Sequence, residues 1–60
     1  MTIRDMRIAS GMSQASFAEY LNIPRRTIQE WEGNRRTPPA YVVELIRYKL
    51  VNEGIIRPES

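Results

Sequence analysis

Residues that stop or start helices divide this sequence at four places, and only the stretches between them are free to form regular structure. The dividers are Gly11, Asn22-Ile23-Pro24, the run Gly33-Asn34-Arg35-Arg36-Thr37-Pro38-Pro39, and Gly54. Thr2 followed by Asp5 has the form of a capping box, in which each side chain satisfies an orphan backbone N–H, so a first helix is predicted from Ile3 to Ser10. Gly11 ends it, because a residue just past a helix commonly takes positive φ and glycine does so without a Cβ clash. Ser13 caps a second helix, about Gln14 to Leu21, in which Phe17, Ala18 and Leu21 recur at the spacing of a core-facing stripe. Asn22 is suited to the left-handed conformation of a sharp turn. Pro24 lacks an N–H that the first turn of a helix could not use, so it begins a third helix running to about Glu32. The paired prolines in turn pre-set a fourth, from about Ala40 to Asn52, which Gly54 stops.

Sixty residues support one core. With neither cysteine nor histidine there is no disulfide framework and no usual ligand set for zinc, so helix packing must hold the chain together, and no metal or cofactor is expected. The fold class is all-α, a small four-helix domain over residues 1–53 followed by a tail, 54–60. The tail is ordered only if something holds Ile55 and Ile56. Core contacts are expected from Ile3, Met6 and Met12, with Ile8 the weakest candidate, and from Ile28 and Trp31 on the third helix. The spacing from Ile28 makes Trp31 a core residue rather than a stacking platform for single strands. Helix four carries two apolar stripes, Val42, Val43, Ile46 and Leu50 against Tyr41, Leu45 and Tyr48, which is more than one core needs. No apolar run approaches the roughly 18 residues that span a membrane, and no secretory signal is legible, so a cytoplasmic setting is expected.

Nine basic and seven acidic residues leave a net charge of only +2, but Arg25, Arg26, Arg35 and Arg36 fall within twelve residues. One face should be locally positive and suited to a polyanion. On the third helix Arg25, Arg26, Gln29 and Glu30 lie opposite Ile28 and Trp31. Two short helices joined by a three-residue turn form the unit that seats a helix in the DNA major groove.

The ordered set Gly11-Met12-Ser13-Gln14, Phe17-Ala18, Leu21-Asn22-Ile23-Pro24, Thr27-Ile28, Trp31-Glu32 and the proline at Pro38 or Pro39 resembles the lambda-repressor and Cro-like helix-turn-helix domains, over roughly Ile3 to Leu50. The resemblance implies sequence-specific binding of double-stranded DNA by a bacterial or phage transcriptional regulator. It puts Arg25, Arg26, Gln29 and Glu30 at base edges, where Arg can grip guanine O6 and N7 and Glu can accept from cytosine N4. It puts Gln14, Arg35, Arg36 and Thr37 on phosphates. It also implies an ion pair between Arg7 and Glu32; if that pair is buried, removing one partner strands a charge and costs about 3 to 5 kcal/mol. Two positions depart from the family pattern. Asn22 stands where glycine is usual, and Pro24 where a capping Ser or Thr is usual, so the start of helix three is open by a residue. The glycine after Glu32 comes early, which gives the left-handed role to Asn34.

For Glu30 the alternative to a base contact is an i, i+4 pair with Arg26. An enzyme is not expected, since no histidine, no cysteine and no clustered carboxylates leave nothing for acid-base or nucleophilic work. The competing function is a protein-interaction or antitoxin-type module that keeps the fold and holds a protein partner through helix four and the tail. A C2 homodimer, at least on DNA, is expected from the surplus apolar surface, with Val43, Ile46, Val51, Ile55 and Ile56 as candidate contacts.

Overall fold

A computed structural model describes residues 2–57, and in it the punctuation of the sequence becomes four helices: α1 Ile3–Ser10, α2 Gln14–Leu21, α3 Arg25–Glu32 and α4 Ala40–Asn52. Among the described residues there is no strand. The capping box forms in both directions, the Asp5 N–H donating to Thr2 Oγ1 at 3.1 Å and the Thr2 N–H to the Asp5 carboxylate at 3.3 Å. At the other end of α1, Gly11 takes φ 74° and its N–H donates to the Ile8 carbonyl. Ser13 caps α2 by accepting from the Ser16 N–H at 3.1 Å.

The two turns that frame α3 both depend on asparagine. Asn22 has φ 57° and Asn34 has φ 60°, the left-handed region that Asn tolerates better than other side chains bearing a Cβ. Gly33, by contrast, keeps a negative φ of −86°. Pro24 stands one position before α3 rather than in its first turn: its ψ of 136° is extended, and its carbonyl accepts from the Thr27 N–H at 2.9 Å. Pro39 does the same for α4, with ψ 144°. Because neither proline offers a capping side chain, the first N–H groups of both helices stay without a side-chain partner.

Ile3 and Met6 from α1, Phe17 and Ala18 from α2, Ile28 from α3, and Ile46 and Leu50 from α4 make the core, with Ile56 closing it. α3 packs against α2 and α1, and α4 lies against α1. Met12, Leu21, Ile23, Trp31, Val42 and Val43 surround this centre, half-buried. Trp31 thus packs on the core without being enclosed by it, while Ile8 faces outward.

The segment after α4 turns back. Gly54 takes φ 72°, the Ile55 N–H donates to the Leu50 carbonyl at 2.9 Å, and Ile56 is left 8 % exposed. The core therefore holds Ile55 and Ile56, and this corrects the candidates for a homodimer contact. Ile46, at 5 % exposure, and Ile56 are used up inside the subunit, and Val43, Val51 and Ile55 are half-covered. Of the two stripes on α4 it is Tyr41, Leu45 and Tyr48 that stay exposed. Residues 58–60 of the expected tail, and Met1, lie outside the described residues.

Candidate nucleic-acid interface

The amphipathic division of α3 decides what this helix can present. Ile28 is fully buried and Trp31 leans on the core, so the side a half-turn away must face out. Arg26 and Gln29 lie there and are exposed, while Arg25, three residues before Ile28 and thus flanking the buried side, is exposed at the first position of the helix. Glu30 is half-buried. Arg26, Gln29 and Glu30 share a shallow concavity with Gly33 and Arg35, so the outer face of α3 and the following loop form one polar surface.

The loop wraps back over the end of α3. The Glu30 carbonyl accepts from the N–H groups of both Arg35, at 2.9 Å, and Arg36, at 3.3 Å. This return brings the Arg36 guanidinium to 3.6 Å from the Glu30 carboxylate. The partner of Glu30 is thus Arg36 and not Arg26, contrary to the helical i, i+4 alternative. Arg35, Arg36 and Thr37 are exposed beside it.

Beneath this surface, Arg7 and Glu32 tie α1 to the last turn of α3. The guanidinium donates through Nε to Glu32 Oε2 at 2.7 Å and through Nη2 to Oε1 at 3.0 Å, a two-point grip that fixes the angle between the groups as well as their distance. Its remaining nitrogen, Nη1, donates to the Met12 carbonyl at 3.1 Å. The side chains are 19 % and 7 % exposed. Among the described residues no buried side-chain polar atom lacks a partner. Bonding to Arg7 holds the Glu32 carboxyl below the usual glutamate range; burial opposes the shift, and the Gln14 amide and the charge of Arg4 add to it. The same bond pushes Arg7 further into its protonated form.

Gln14, in the first turn of α2, donates its amide to Glu32 Oε1 at 3.2 Å. One carboxylate thereby connects three helices and fixes the start of α2 relative to α3. Arg4, Arg7, Gln14, Gln29, Glu32 and Gly33 line a second open concavity beside the first. Arg4 is the addition here to the residues expected from sequence. Its place three residues before Arg7, on the same side of α1, was the signal that could have found it.

A different cluster fastens the far end of α2 to α4. The Tyr20 hydroxyl donates to the Glu53 carboxylate, Lys49 donates to the other carboxylate oxygen at 3.0 Å, and the Lys49 ammonium lies 4.9 Å from the centre of the Tyr20 ring. Loss of hydration and the hydrogen bond to Glu53 push the Tyr20 hydroxyl up to about 12, while the Glu53 carboxyl is lowered by its bonds from Tyr20 and Lys49.

No group of acidic residues, cysteines or histidines that could hold a metal ion occurs among the described residues, and no helix there is long and apolar enough to cross a membrane. Compared with known families, residues 3–47 match the helix-turn-helix family, a span that begins with α1 and ends within α4. Comparison with curated proteins and with solved structures gives no significant match.

Proposed function

Because the chain belongs to the lambda-repressor/Cro-like helix-turn-helix family of DNA-binding regulators, we propose that it reads a specific double-stranded sequence with α3 in the major groove, as a bacterial or phage transcriptional regulator. The observation that carries this reading is the outer face of α3. Arg26 and Gln29 project from a helix whose opposite side is locked into the core by Ile28 and whose last turn is braced by Arg7 and Glu32, and Arg25 is exposed at its first position. A rigid helix presenting two guanidinium groups and an amide can offer bidentate hydrogen bonds to base edges.

In this reading Arg25, Arg26, Gln29 and Glu30 contact bases, and Gln14, Arg35, Arg36 and Thr37 contact phosphates. Glu30 beside a phosphate backbone would be repelled, and its neighbour Arg36 offsets that charge. The protein binds as a C2 homodimer on inverted half-sites one helical turn apart. Selection of bound sites from random duplex DNA tests the proposal. It should enrich an inverted repeat, with affinity falling steeply as salt rises. Failure to enrich any motif, with weak binding to every duplex, would leave the protein-interaction alternative as the better description.

A further inference from the structure

The core of the subunit leaves one face of α4 uncovered. Tyr41, Leu45 and Tyr48, at successive four- and three-residue steps, are 68, 63 and 67 % exposed, whereas Ile46 and Leu50 across the helix are buried. With aromatic side chains of about 150 to 250 Å² each, the stripe offers on the order of 400 Å² per copy, the size of the largest apolar patch on an ordinary monomer, and such patches are often functional. Glu44 and Arg47 border the stripe together on one flank, and the five residues line one shallow, open surface. Among the described residues neither Glu44 nor Arg47 has an ion-pair partner.

We propose that the Tyr41, Leu45, Tyr48 face of α4 pairs with the same face of a second copy of this chain, the two helices running antiparallel about a two-fold axis beside Leu45. A two-fold axis between antiparallel helices brings each flank against itself in reverse order. Glu44 then falls opposite the Arg47 of the second copy, and Arg47 opposite its Glu44, so the border is self-complementary in charge. Tyr41 and Tyr48 exchange places across the axis within about one residue, which long aromatic side chains can bridge. The stripe from both copies together with the stems of Glu44 and Arg47 brings the buried surface to roughly 1,000 Å², the lower bound for a specific interface and the range of weak, reversible ones. This surface assigns a place to the homodimer of the proposed function, but its existence can be tested without DNA.

Sedimentation velocity of the full chain, up to about 1 mM, should show a monomer passing into a dimer as concentration rises. Leu45→Glu should weaken that association at least about tenfold, since the substitution acts twice at the axis, while helicity stays unchanged because Leu45 makes no core contact. Glu44→Arg and Arg47→Glu should each weaken it, and the double exchange should restore it. A wild-type chain that stays monomeric, an unaltered dimer in Leu45→Glu, or a double exchange no better than the single ones would each overturn the proposal. On duplexes carrying one or two selected half-sites, Leu45→Glu should keep its half-site affinity and lose the cooperative gain on the pair. If wild type binds neither duplex, the DNA reading fails, and sedimentation still decides the pairing.

Discussion

The cluster of Arg7, Glu32 and Gln14 and the cluster of Tyr20, Glu53 and Lys49 are each built around one carboxylate gripped by a cation and a neutral donor. They differ in their access to water. Glu32 is 7 % exposed, whereas Lys49 and Glu53 are each more than 40 % exposed. In the first, a lost partner leaves a charge that water reaches poorly; in the second, water replaces whatever is removed. The same bonds should therefore matter to stability in one place and hardly at all in the other. The dry cluster is also the one under α3, so its integrity is coupled to the surface that would meet DNA.

The contrast breaks most sharply at Glu32. Glu32→Leu removes the acceptor from Arg7 and Gln14 together, and chemical denaturation should show a loss of about 2 to 3 kcal/mol, near the lower limit for a buried pair because Arg7 keeps some exposure. Arg7→Met alone should lose nearly as much. The double variant Arg7→Met/Glu32→Leu should lose clearly less than the sum, because no charge is then left stranded. Additive losses would place both groups effectively in water.

Acid sharpens the comparison. The folded-state pKa of Glu32 lies below the glutamate reference of 4.5. Its stabilising contribution is therefore complete above that reference and is lost as pH falls through the lowered value. Stability measured from pH 6 downwards should drop in the wild type, and the drop should be shallower in the Arg7→Met/Glu32→Leu variant. Glu53 is lowered in the same direction, so Glu53→Gln serves as the comparison and should change the curve less, its site being screened by solvent.

The smallest effect is expected at Tyr20. Its hydroxyl titrates near 12 in the folded protein against 10 when free, so the folded state keeps the proton longer. The contribution is whole below pH 10 and fades as pH rises towards 12. Tyr20→Phe should flatten this alkaline decline in a denaturation series and lower stability at neutral pH by the same small amount, the site being open to solvent.

The helices were legible in the sequence because their boundaries are set by local chemistry. A capping box, a serine cap and asparagines in left-handed turns act over three or four residues, and Thr2, Ser13, Asn22 and Asn34 each take the role their side chain favours. Pro24 was placed to within one residue, since it satisfies the geometry before a first helical turn as well as within it. What could not be read was any choice that depends on where the chain returns. Both stripes of α4 have helical spacing, and Ile56 lies against Leu50 and Ile46 only because Gly54 reverses the chain. Glu30 similarly has Arg26 at a helical interval, but the loop carries Arg36 back across the Glu30 carbonyl and gives it the nearer partner. The polar face of α3 was visible from Ile28 and Trp31 alone. The hold of Glu32 on Gln14 joins residues eighteen apart and needed the fold.

The central claim is that α3 reads bases while the loop after it grips phosphates, and comparison of Arg26→Ala with Arg36→Ala tests it most directly. Affinities are measured for a selected site and for a random duplex over a range of salt. Arg26→Ala should lose about 1 to 3 kcal/mol on the selected site and relax preference at one base-pair position in each half-site. Arg36→Ala should weaken both duplexes alike and lower the salt slope by roughly one unit. Equal losses on both duplexes for the two variants would contradict the assignment of α3 to the groove.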